Sequence, residues 1–321
     1  MQRFGWIMVA AMLTACGSGS SGGSTQATLD GVPLLAGFTP GAAPAAGKGF
    51  QIVMPIVGDI PAGSSIEYCT WSDITLTQDV WVTSTTGYQT ETGHHVVMFY
   101  QTDPQKPGTR VCNNEDMAEF KFGLPASAGS GVESTVLPGN LAVKLPAGSQ
   151  IVINHHYLNA TGKDVAQAQS ALNIYFAEPG EKTVPAGSVV VTNSSMVVPV
   201  GASTFDVDCT FNTAYSAFQL VPHMHAWGTH INIDHTTSTG TQRIVSDDWN
   251  PDYAFDLPVI AKNFPLSAPY QFAVGDKIHI ECDYMNTTNA PLDFGQEMCV
   301  LFTMTVNSPD MLCDTGVWGA Y

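Results

Sequence analysis

The chain has 321 residues, a net charge of −17 and only 11 lysine and arginine residues, which argues against nucleic acid and anionic lipid as electrostatic partners. Hydrophobic residues make up 44% and charged residues 12%, a composition typical of a globular protein. The length is sufficient for two domains of ordinary size, and the acidity fits the solubility of an exported protein.

Residues 1–15 are predicted to be a signal peptide. Arg3 precedes the apolar stretch 5–13, which is too short to span a bilayer but suits a signal-peptide core. The following LTAC resembles a bacterial lipobox with Cys16 as the lipidated residue; the alternative is an ordinary secreted protein cleaved nearby. Residues 16–46 form a flexible Gly/Ser/Ala/Pro tether. We expect an exported protein, lipid-anchored to the cell envelope (the outer membrane) or periplasmic or extracellular, that meets the membrane only through its anchor.

From residue 47 onward, short Val/Ile/Thr/Tyr-rich runs alternate with Pro/Gly turns, a pattern typical of an all-β sandwich or barrel. The tetrapeptide PAGS occurs at 61–64, 146–149 and 185–188, and each copy precedes a predicted strand, as a type II turn would. The Pro-, Gly- and charge-rich segment 177–188 is the predicted boundary. We therefore predict an all-β chain of two tandem antiparallel, jelly-roll-like β-sandwich domains, 47–180 and 181–321.

Six cysteines remain after Cys16, an even number that predicts three disulfides in an oxidising compartment. Cys69 and Cys112 are the only cysteines of the first predicted domain, so they must pair with each other. The second domain holds four cysteines whose pairing the count leaves open: Cys209, Cys282, Cys299 and Cys313.

Six of the nine histidines lie in three clusters, GHHVVMFY (93–100), NHHY (154–157) and PHMH (222–225). Successive side chains on a strand point to opposite faces, so His94 and His95 can share one ion only at a strand end or a bulge, which Gly93 permits. His223 and His225 are two residues apart and can share a face without distortion. The clusters predict metal binding, whereas His279, on the polar side of an alternating strand, is predicted to be solvated.

The order HH, HHY, HMHAWG and EMC resembles the copper type II, ascorbate-dependent monooxygenases, the group of dopamine β-monooxygenase and peptidylglycine α-hydroxylating monooxygenase. The resemblance covers residues from about 50 to 320. It implies two tandem β-sandwich domains that each hold one copper and face each other across an open cleft. The N-terminal domain would carry the electron-transfer copper and the C-terminal domain the oxygen-activating copper.

The resemblance also implies the ligands, two coppers per chain and the remaining disulfides. Its motifs place His94, His95 and the histidine before Tyr157, which is His156, on the first copper. Strand parity agrees, because it separates His156 from the apolar face and leaves His155 as a structural residue. The other motifs place His223, His225 and Met298 on the second copper and imply the pairs Cys282–Cys299 and Cys209–Cys313, beside Cys69–Cys112.

The ligand types suit different tasks. A thioether favours Cu(I), so a His₂Met site with an open position suits reduced copper that meets O₂. A site of three histidines tolerates both oxidation states and suits delivery of one electron. A Met at position 298 would ordinarily be a core-filling residue, but its place in the EMC motif favours the ligand.

The chain departs from the peptide hydroxylases at the substrate. Where those enzymes bind a carboxylate through Arg, Asn and Tyr, this chain has Val221, Val300 and Phe302, none of which can hold a carboxylate. The resemblance, so modified, predicts an apolar pocket for a small apolar or aromatic molecule. An acidic group after the HMH motif could attract a cationic substrate, although a solvated loop is the favoured interpretation: Asp247, Asp248, Asp252 and Asp256.

Two functions from different classes follow. The first is a monooxygenase that hydroxylates a C–H bond with O₂ and an external one-electron donor such as ascorbate or a bacterial equivalent. The second is a non-catalytic copper-binding or copper-handling lipoprotein. Retention of two chemically different sites favours the enzyme. A zinc hydrolase is disfavoured because no Glu lies within the histidine clusters as a base and methionine is a poor zinc ligand.

Overall fold

The computed structural model describes residues 28–128, 131–159, 161–181, 183–254 and 258–320. The predicted signal peptide, Cys16, the beginning of the predicted tether and Asp256 lie outside these residues. In the part of the chain that the structure describes, no helix is long and apolar enough to span a bilayer.

The described residues up to 176 form strands and a short helix, α1 (Asn114–Glu119), which begins at a reciprocal cap between Asn113 and Asp116. The strands are β1 (Thr28–Leu29), β2 (Val32–Pro33), β3 (Gly49–Val53), β4 (Val57–Ile60), β5 (Ser65–Thr75), β6 (Val80–Gln89), β7 (Gly93–Gln101), β8 (Gly108–Val111), β9 (Lys121–Ala128), β10 (Gly131–Val136), β11 (Leu141–Leu145), β12 (Gln150–Leu158), β13 (Val165–Ala168) and β14 (Ser170–Phe176).

The described residues from 184 onward form further strands and a 3₁₀ turn at Pro251–Ala254. The strands are β15 (Val184–Thr192), β16 (Val197–Val198), β17 (Gly201–Thr210), β18 (Tyr215–His223), β19 (Gly228–Thr237), β20 (Gly240–Asp248), β21 (Lys262–Asn263), β22 (Tyr270–Phe272), β23 (Lys277–Asn286), β24 (Leu292–Asp293), β25 (Val300–Val306), β26 (Met311–Asp314) and β27 (Val317–Ala320).

Each half of the chain places two sheets face to face. In the first half, a five-stranded sheet in the order β8-β5-β12-β7-β9 packs against the strands β11-β6-β14-β3 of a larger sheet. Its core lies between them and includes Ile151 and Ile153 of β12 and Leu172 and Ile174 of β14. In the second half, the sheet β17-β23-β19-β20 packs against β21-β18-β25-β15 around a second apolar core. The prediction of an all-β fold is confirmed.

The two halves are joined by one continuous sheet of 12 strands. The junction is a short parallel pairing of β11 with β15, in which Leu141 lies opposite Val184 and Ala142 opposite Pro185. Three buried side chains of the second half pack into the first-half core: Ala186, Phe218 and Met304. The division into two domains stays a prediction, and the halves share both a sheet and part of a core.

The described residues contain three disulfides, Cys69–Cys112, Cys209–Cys313 and Cys282–Cys299. They are the pairs that the family resemblance implies. Cys69–Cys112 ties β5 to the segment just after β8, and Cys209–Cys313 ties β17 to β26 near the end of the chain. Cys282–Cys299 holds β23 to the residue before β25, directly beside Met298.

Burial of Asp310 near the junction predicts a pH-dependent stability. Its carboxylate accepts hydrogen bonds from the Ser188 backbone N–H (2.7 Å) and hydroxyl (3.2 Å), yet burial raises its pKa to about 6. An unfolded aspartate titrates near pH ~3.9, so the folded state binds the proton more tightly and loses stability as pH rises from about 4 to about 6.

The Asp310→Asn variant cannot titrate at this position, so it serves as the reference. We expect the difference in free energy of unfolding, wild type minus Asp310→Asn, to fall by about 2–3 kcal/mol between pH 4 and pH 7. Denaturant unfolding at both pH values measures it. Asp252→Asn, at an exposed position, is the control and should show no such difference. Parallel curves for wild type and Asp310→Asn would contradict the expectation.

Candidate metal centre

A β-bulge at His94 lets the adjacent imidazoles of His94 and His95 lie on the same side of β7. Along the pairing of β7 with β12, His95 lies opposite His156 and Gly93 opposite Tyr157, so the register passes over His94. An extra residue of this kind breaks the alternation of side chains. Gly93 is required there, since a Cβ would lie 2.4 Å from Cβ of Gln89. Thr92, immediately before, has a φ of 72°, a left-handed conformation that costs free energy for a β-branched residue.

The bulge brings His94, His95 and His156 into a compact triad. Their ring centroids are 4.9 Å apart for His94 and His95, 4.6 Å for His94 and His156, and 4.9 Å for His95 and His156. One potential ligand atom from each residue lies within 4.8 Å of the other two. This is an arrangement that could hold one metal ion.

In His95 and His156, Nε2 is hydrogen-bonded to a neighbouring side chain, which leaves Nδ1 as the atom that could bind a metal. His95 Nε2 lies 2.9 Å from Asn154 Oδ1, and His156 Nε2 lies 2.7 Å from Ser65 Oγ. Nδ1 of His95 then lies 2.8 Å from Nδ1 of His94. Nδ1 of His156 is buried without a hydrogen-bond partner among the described residues, its nearest acidic oxygen being Glu67 Oε1 at 3.8 Å. A buried, unbonded nitrogen beside two others fits a metal ligand.

His155 has a different environment from its neighbour. It is fully buried, with Nε2 3.0 Å from Thr70 Oγ1 and Nδ1 3.2 Å from the Tyr157 hydroxyl. Both nitrogens are therefore engaged within the protein, and burial lowers its pKa to about 3. The geometry supports a structural role for this histidine.

The HMH motif lies where β18 ends and the chain turns toward β19. The sequence pattern predicts a strand through both histidines, but β18 ends at His223 and His225 precedes a turn. Met224 between them is fully buried, and the Trp249 indole donates to the His225 carbonyl (2.8 Å). Gly228 closes the turn, since a Cβ would lie 2.5 Å from the Met224 methyl carbon. The two imidazole rings stand 4.9 Å apart at 89°.

Glu297 holds the HMH turn against the loop that carries Met298. This fully buried carboxylate accepts from the backbone N–H groups of His225, Trp227 (2.9 Å) and Met298 (3.0 Å). Burial raises its pKa to about 7 in spite of these bonds. His225 Nδ1 lies 3.1 Å from the Gln296 carbonyl, which leaves Nε2 for a metal. No pattern in the sequence indicated this role for Glu297, whose only visible feature was its place next to Met298.

Met298 is half-buried beside this carboxylate. Its N–H donates to Glu297, and its carbonyl accepts from the Tyr284 hydroxyl at 2.8 Å. Cys299 fixes the next residue through its disulfide. The backbone of the predicted thioether ligand is therefore held on both sides, next to the turn that carries His225.

The two predicted ligand sets are in contact. The His94 ring centroid lies 5.2 Å from that of His225 and 6.3 Å from that of His223, and His156 lies 6.4 Å from His225. The resemblance implies two sites on opposite sides of an open cleft, and the observed arrangement differs. The pairing of β11 with β15 and the shared core bring the halves together, so that β7 of the first half meets the end of β18.

Burial keeps the imidazoles neutral. His94, His156 and His225 are buried, whereas His95 and His223 are partly exposed. Burial, reinforced by the neighbouring histidines, holds the pKa of His94, His156 and His223 well below the ordinary value. Burial also lowers the pKa of His225, to about 4. Neutral imidazole is the form that binds metal.

The predicted pocket residues lie beside His223. In the pairing of β18 with β25, Val221 is opposite Phe302 and His223 is opposite Val300, so these four side chains share a face. The Phe302 and His223 ring centroids are 5.7 Å apart. The surroundings of His223 are thus apolar on this side, as Trp249 at 6.4 Å also indicates.

The described members of the acidic group that follows the HMH motif do not line the site. Asp248 is almost fully exposed and lies 2.9 Å from His230 Nδ1, and Asp252 is exposed. Asp247 is partly exposed in β20, where it lies opposite Ile231. These positions support the interpretation of a solvated surface.

Asn154 is expected to be a positioning residue for His95. Its Oδ1 contacts His95 Nε2, while its amide donates toward Glu67 Oε2 (3.3 Å) and Cys112 Sγ (3.5 Å). Partners of this kind orient metal-binding histidines, and their loss typically costs about 10–100-fold in metal affinity. We therefore expect Asn154→Leu to weaken metal binding at the triad by that amount, as measured by chelator competition.

Asn173→Leu is the matched control for Asn154→Leu, because Asn173 is equally buried but bonds to the Ala42 carbonyl and Tyr hydroxyls away from the histidines. It should leave the metal affinity of the triad unchanged. Equal affinity in wild type and Asn154→Leu would show that Asn154 does not position His95.

No protein-family model and no curated protein matches the chain. Among solved structures, it is similar to a triple jelly-roll protein of an archaeal virus turret (9% identity, TM-score 0.20, 81% of this chain and 59% of that one). It is also similar to latent PorU from Porphyromonas gingivalis (10% identity, TM-score 0.18, 77% of this chain and 25% of that one). A third similar structure is the Cry4Aa toxin from Bacillus thuringiensis (12% identity, TM-score 0.15, 77% of this chain and 58% of that one). The chain thus spans about a quarter to three fifths of these proteins, and likenesses of this size assign no family.

Proposed function

We propose that this protein is a copper-dependent monooxygenase that hydroxylates a C–H bond of a small apolar or aromatic molecule. O₂ is the oxidant, and ascorbate or a bacterial equivalent supplies electrons. The proposal includes two copper sites, one per predicted domain, and a protein exported and anchored through Cys16. The observation that supports it is a group of three histidines at the β7 bulge that could hold an ion, beside a second pair of imidazoles, His223 and His225, whose turn is bonded through Glu297 to the backbone of Met298.

The donor chemistry fits copper. Neutral imidazoles with Nδ1 facing inward would hold one ion, and His225 Nε2, His223 and the Met298 thioether would hold the other. Bound copper supplies one-electron chemistry with O₂. Hydrogen bonds to Asn154 and Ser65 orient His95 and His156, and bonds to Glu297 and Gln296 hold His225, so these imidazoles would be preorganised for the proposed ions.

The residues around His223 support an apolar substrate. Val221, Val300 and Phe302 offer no charged or hydrogen-bonding side chain, and Trp249 adds an aromatic edge. A carboxylate would be left unpaired there, which is unfavourable in a buried place. An aromatic or aliphatic molecule would replace water against these side chains.

A copper-handling lipoprotein is the second candidate, because His94, His156 and His225 are buried, and burial restricts access by O₂ and substrate. Such a protein would bind copper without oxidising any compound. The two candidates therefore differ in product formation and agree in metal content.

We expect copper-loaded protein to contain two coppers per chain, with a sulfur neighbour on one of them when reduced. X-ray absorption and metal analysis measure both. With ascorbate, O₂ and a panel of apolar and aromatic compounds, a hydroxylated product should form. Metal content near one, or zinc retained in preference to copper, would contradict the proposal. Two coppers with peroxide as the only product would favour the copper-handling protein.

A further inference from the structure

Glu67 lies beside the histidine triad, in a row of side chains that crosses three strands. In the pairing of β5 with β12 it is opposite His156, and in the pairing of β12 with β7 His156 is opposite His95. Residues directly opposite each other in an antiparallel pair project from the same face of the sheet. The register therefore places one carboxylate and two imidazoles of the triad on one face of the five-stranded sheet.

The Glu67 carboxylate reaches both imidazoles of this row. Its Oε1 lies 3.8 Å from His156 Nδ1, and its Oε2 accepts a hydrogen bond from the Asn154 amide at 3.3 Å. Asn154 Oδ1 in turn lies 2.9 Å from His95 Nε2. The carboxylate is thus next to one imidazole directly and is connected to the other through a single amide side chain.

The charge of Glu67 acts on the triad through a partly dry environment. Burial lowers the pKa of His95, and the negative charge of Glu67 acts in the opposite direction. The side chain of His156 is 1% exposed and that of Glu67 26%, so water screens their interaction only in part. Neutral imidazoles do not compensate the charge of a bound ion. A carboxylate in this place would therefore stabilise an ion of higher charge more than one of lower charge.

The position of Glu67 is fixed by the backbone on both sides of the row. Its carbonyl accepts from the Cys112 N–H at 2.9 Å, and Cys112 is joined to Cys69 of β5 by a disulfide. The histidines are placed by the β5–β12–β7 pairing and not by the Glu67 side chain. A change of charge at residue 67 should consequently leave the histidines where they are.

We propose that Glu67 is a positioning residue of the first ligand set and that its charge makes the site at His94, His95 and His156 prefer Cu(II) over Cu(I). It acts on the set in two ways, by orienting Asn154 toward His95 and by placing a negative charge beside His156. This inference rests on the proposed function for the identity of the metal. A site that passes one electron on must release it readily, and a lower reduction potential favours that release.

The test compares Glu67→Gln with Glu67→Ala. Glutamine removes the charge but keeps the shape and an oxygen that can accept from Asn154, whereas alanine removes both. Chelator competition measures the affinities of the full chain for Cu(II) and for Cu(I), and a redox titration measures the potential. All variants carry His223→Ala/His225→Ala, which removes the imidazoles of the second set. Circular dichroism checks the fold, and the same comparison without the two alanines decides the question if that background does not fold.

We expect Glu67→Gln to lose at least about tenfold more affinity for Cu(II) than for Cu(I), which corresponds to a rise of about 59 mV in the one-electron potential. Glu67→Ala should show the same rise together with a loss of affinity for both ions, since the Asn154 amide is then unpaired. Asp73→Asn is the matched control, because Asp73 is an exposed carboxylate on the same strand, and it should change neither quantity.

A purely structural role would weaken both ions equally and leave the potential unchanged. An unchanged potential and an unchanged ratio of the two affinities in Glu67→Gln would therefore overturn the inference and leave the proposed function standing. A chain with wild-type Glu67 that binds neither copper ion at the triad would overturn both.

Discussion

Replacement of Met298 by isoleucine is expected to reduce substrate oxidation by at least about 100-fold while copper stays bound at His94, His95 and His156. In the proposed second site the thioether is the donor that favours Cu(I), and isoleucine offers no donor atom. The backbone of residue 298 is held by Glu297 and by the Tyr284 hydroxyl, and neither bond involves the side chain. The volumes are similar, so the change should cost less than about 1.5 kcal/mol of stability.

The measurements for Met298→Ile are product formation with ascorbate and O₂, copper content, and thermal unfolding. Met285→Ile is the matched control, because Met285 is an exposed methionine on β23, and it should retain full activity. If Met298→Ile oxidised substrate at the wild-type rate, Met298 would not be a ligand of the oxygen-reacting copper. If wild type itself formed no product, the copper-handling function would be favoured instead.

Truncation of Glu297 is expected to cause the largest loss of stability among single changes at the site. Its carboxylate is the acceptor for the backbone N–H groups of His225, Trp227 and Met298. Each buried amide left without an acceptor costs about 1–3 kcal/mol, so Glu297→Ala should lower the free energy of unfolding by several kcal/mol. The turn that carries His225 would also lose its support, and the chain should retain one copper instead of two.

Denaturant unfolding and metal analysis test this expectation. Glu297→Gln keeps one accepting oxygen in a side chain of the same shape and should cost less than the alanine variant. Glu281→Ala is the control, because Glu281 is partly exposed and accepts a hydrogen bond from the Asn232 side-chain amide on β19, away from the histidines. Wild-type stability and two coppers in Glu297→Ala would refute the structural role of Glu297.

The features that could be predicted from the sequence are those set by local rules. Alternation along a strand forces adjacent histidines to face apart, so the pair after Gly93 already indicated the bulge that the β7–β12 register contains. Pro/Gly turns between short β-branched runs indicated the all-β fold. The same alternation distinguished His156 from His155, and the two have different surroundings in the structure: His156 faces His94 and His95, whereas His155 bonds to Thr70 and Tyr157.

The features that could not be predicted depend on contacts between distant parts of the chain. Glu297 supports a turn 70 residues earlier in the sequence, and a glutamate next to a recognised methionine carries no sign of that partner. β18 ends at His223 because the chain must turn there to begin β19 at Gly228. The alternation of residues along a strand gives no information about where such a turn falls. The contact between His94 and His225 depends on the packing of the two halves, and motif spacing within each half does not determine it.

The junction between β11 and β15 also means that the two halves are not interchangeable modules. Each half carries its own histidines, yet Phe218 and Met304, encoded after the boundary, complete the packing of the half encoded before it. A first half that ended before Val184 would leave Leu141 and Ala142 of β11 without the residues they pair with and would present an open strand edge, a template for association with other chains. Shuffling one half between relatives would therefore have to preserve that edge and those two side chains. The folding of the first half therefore depends in part on residues of the second half.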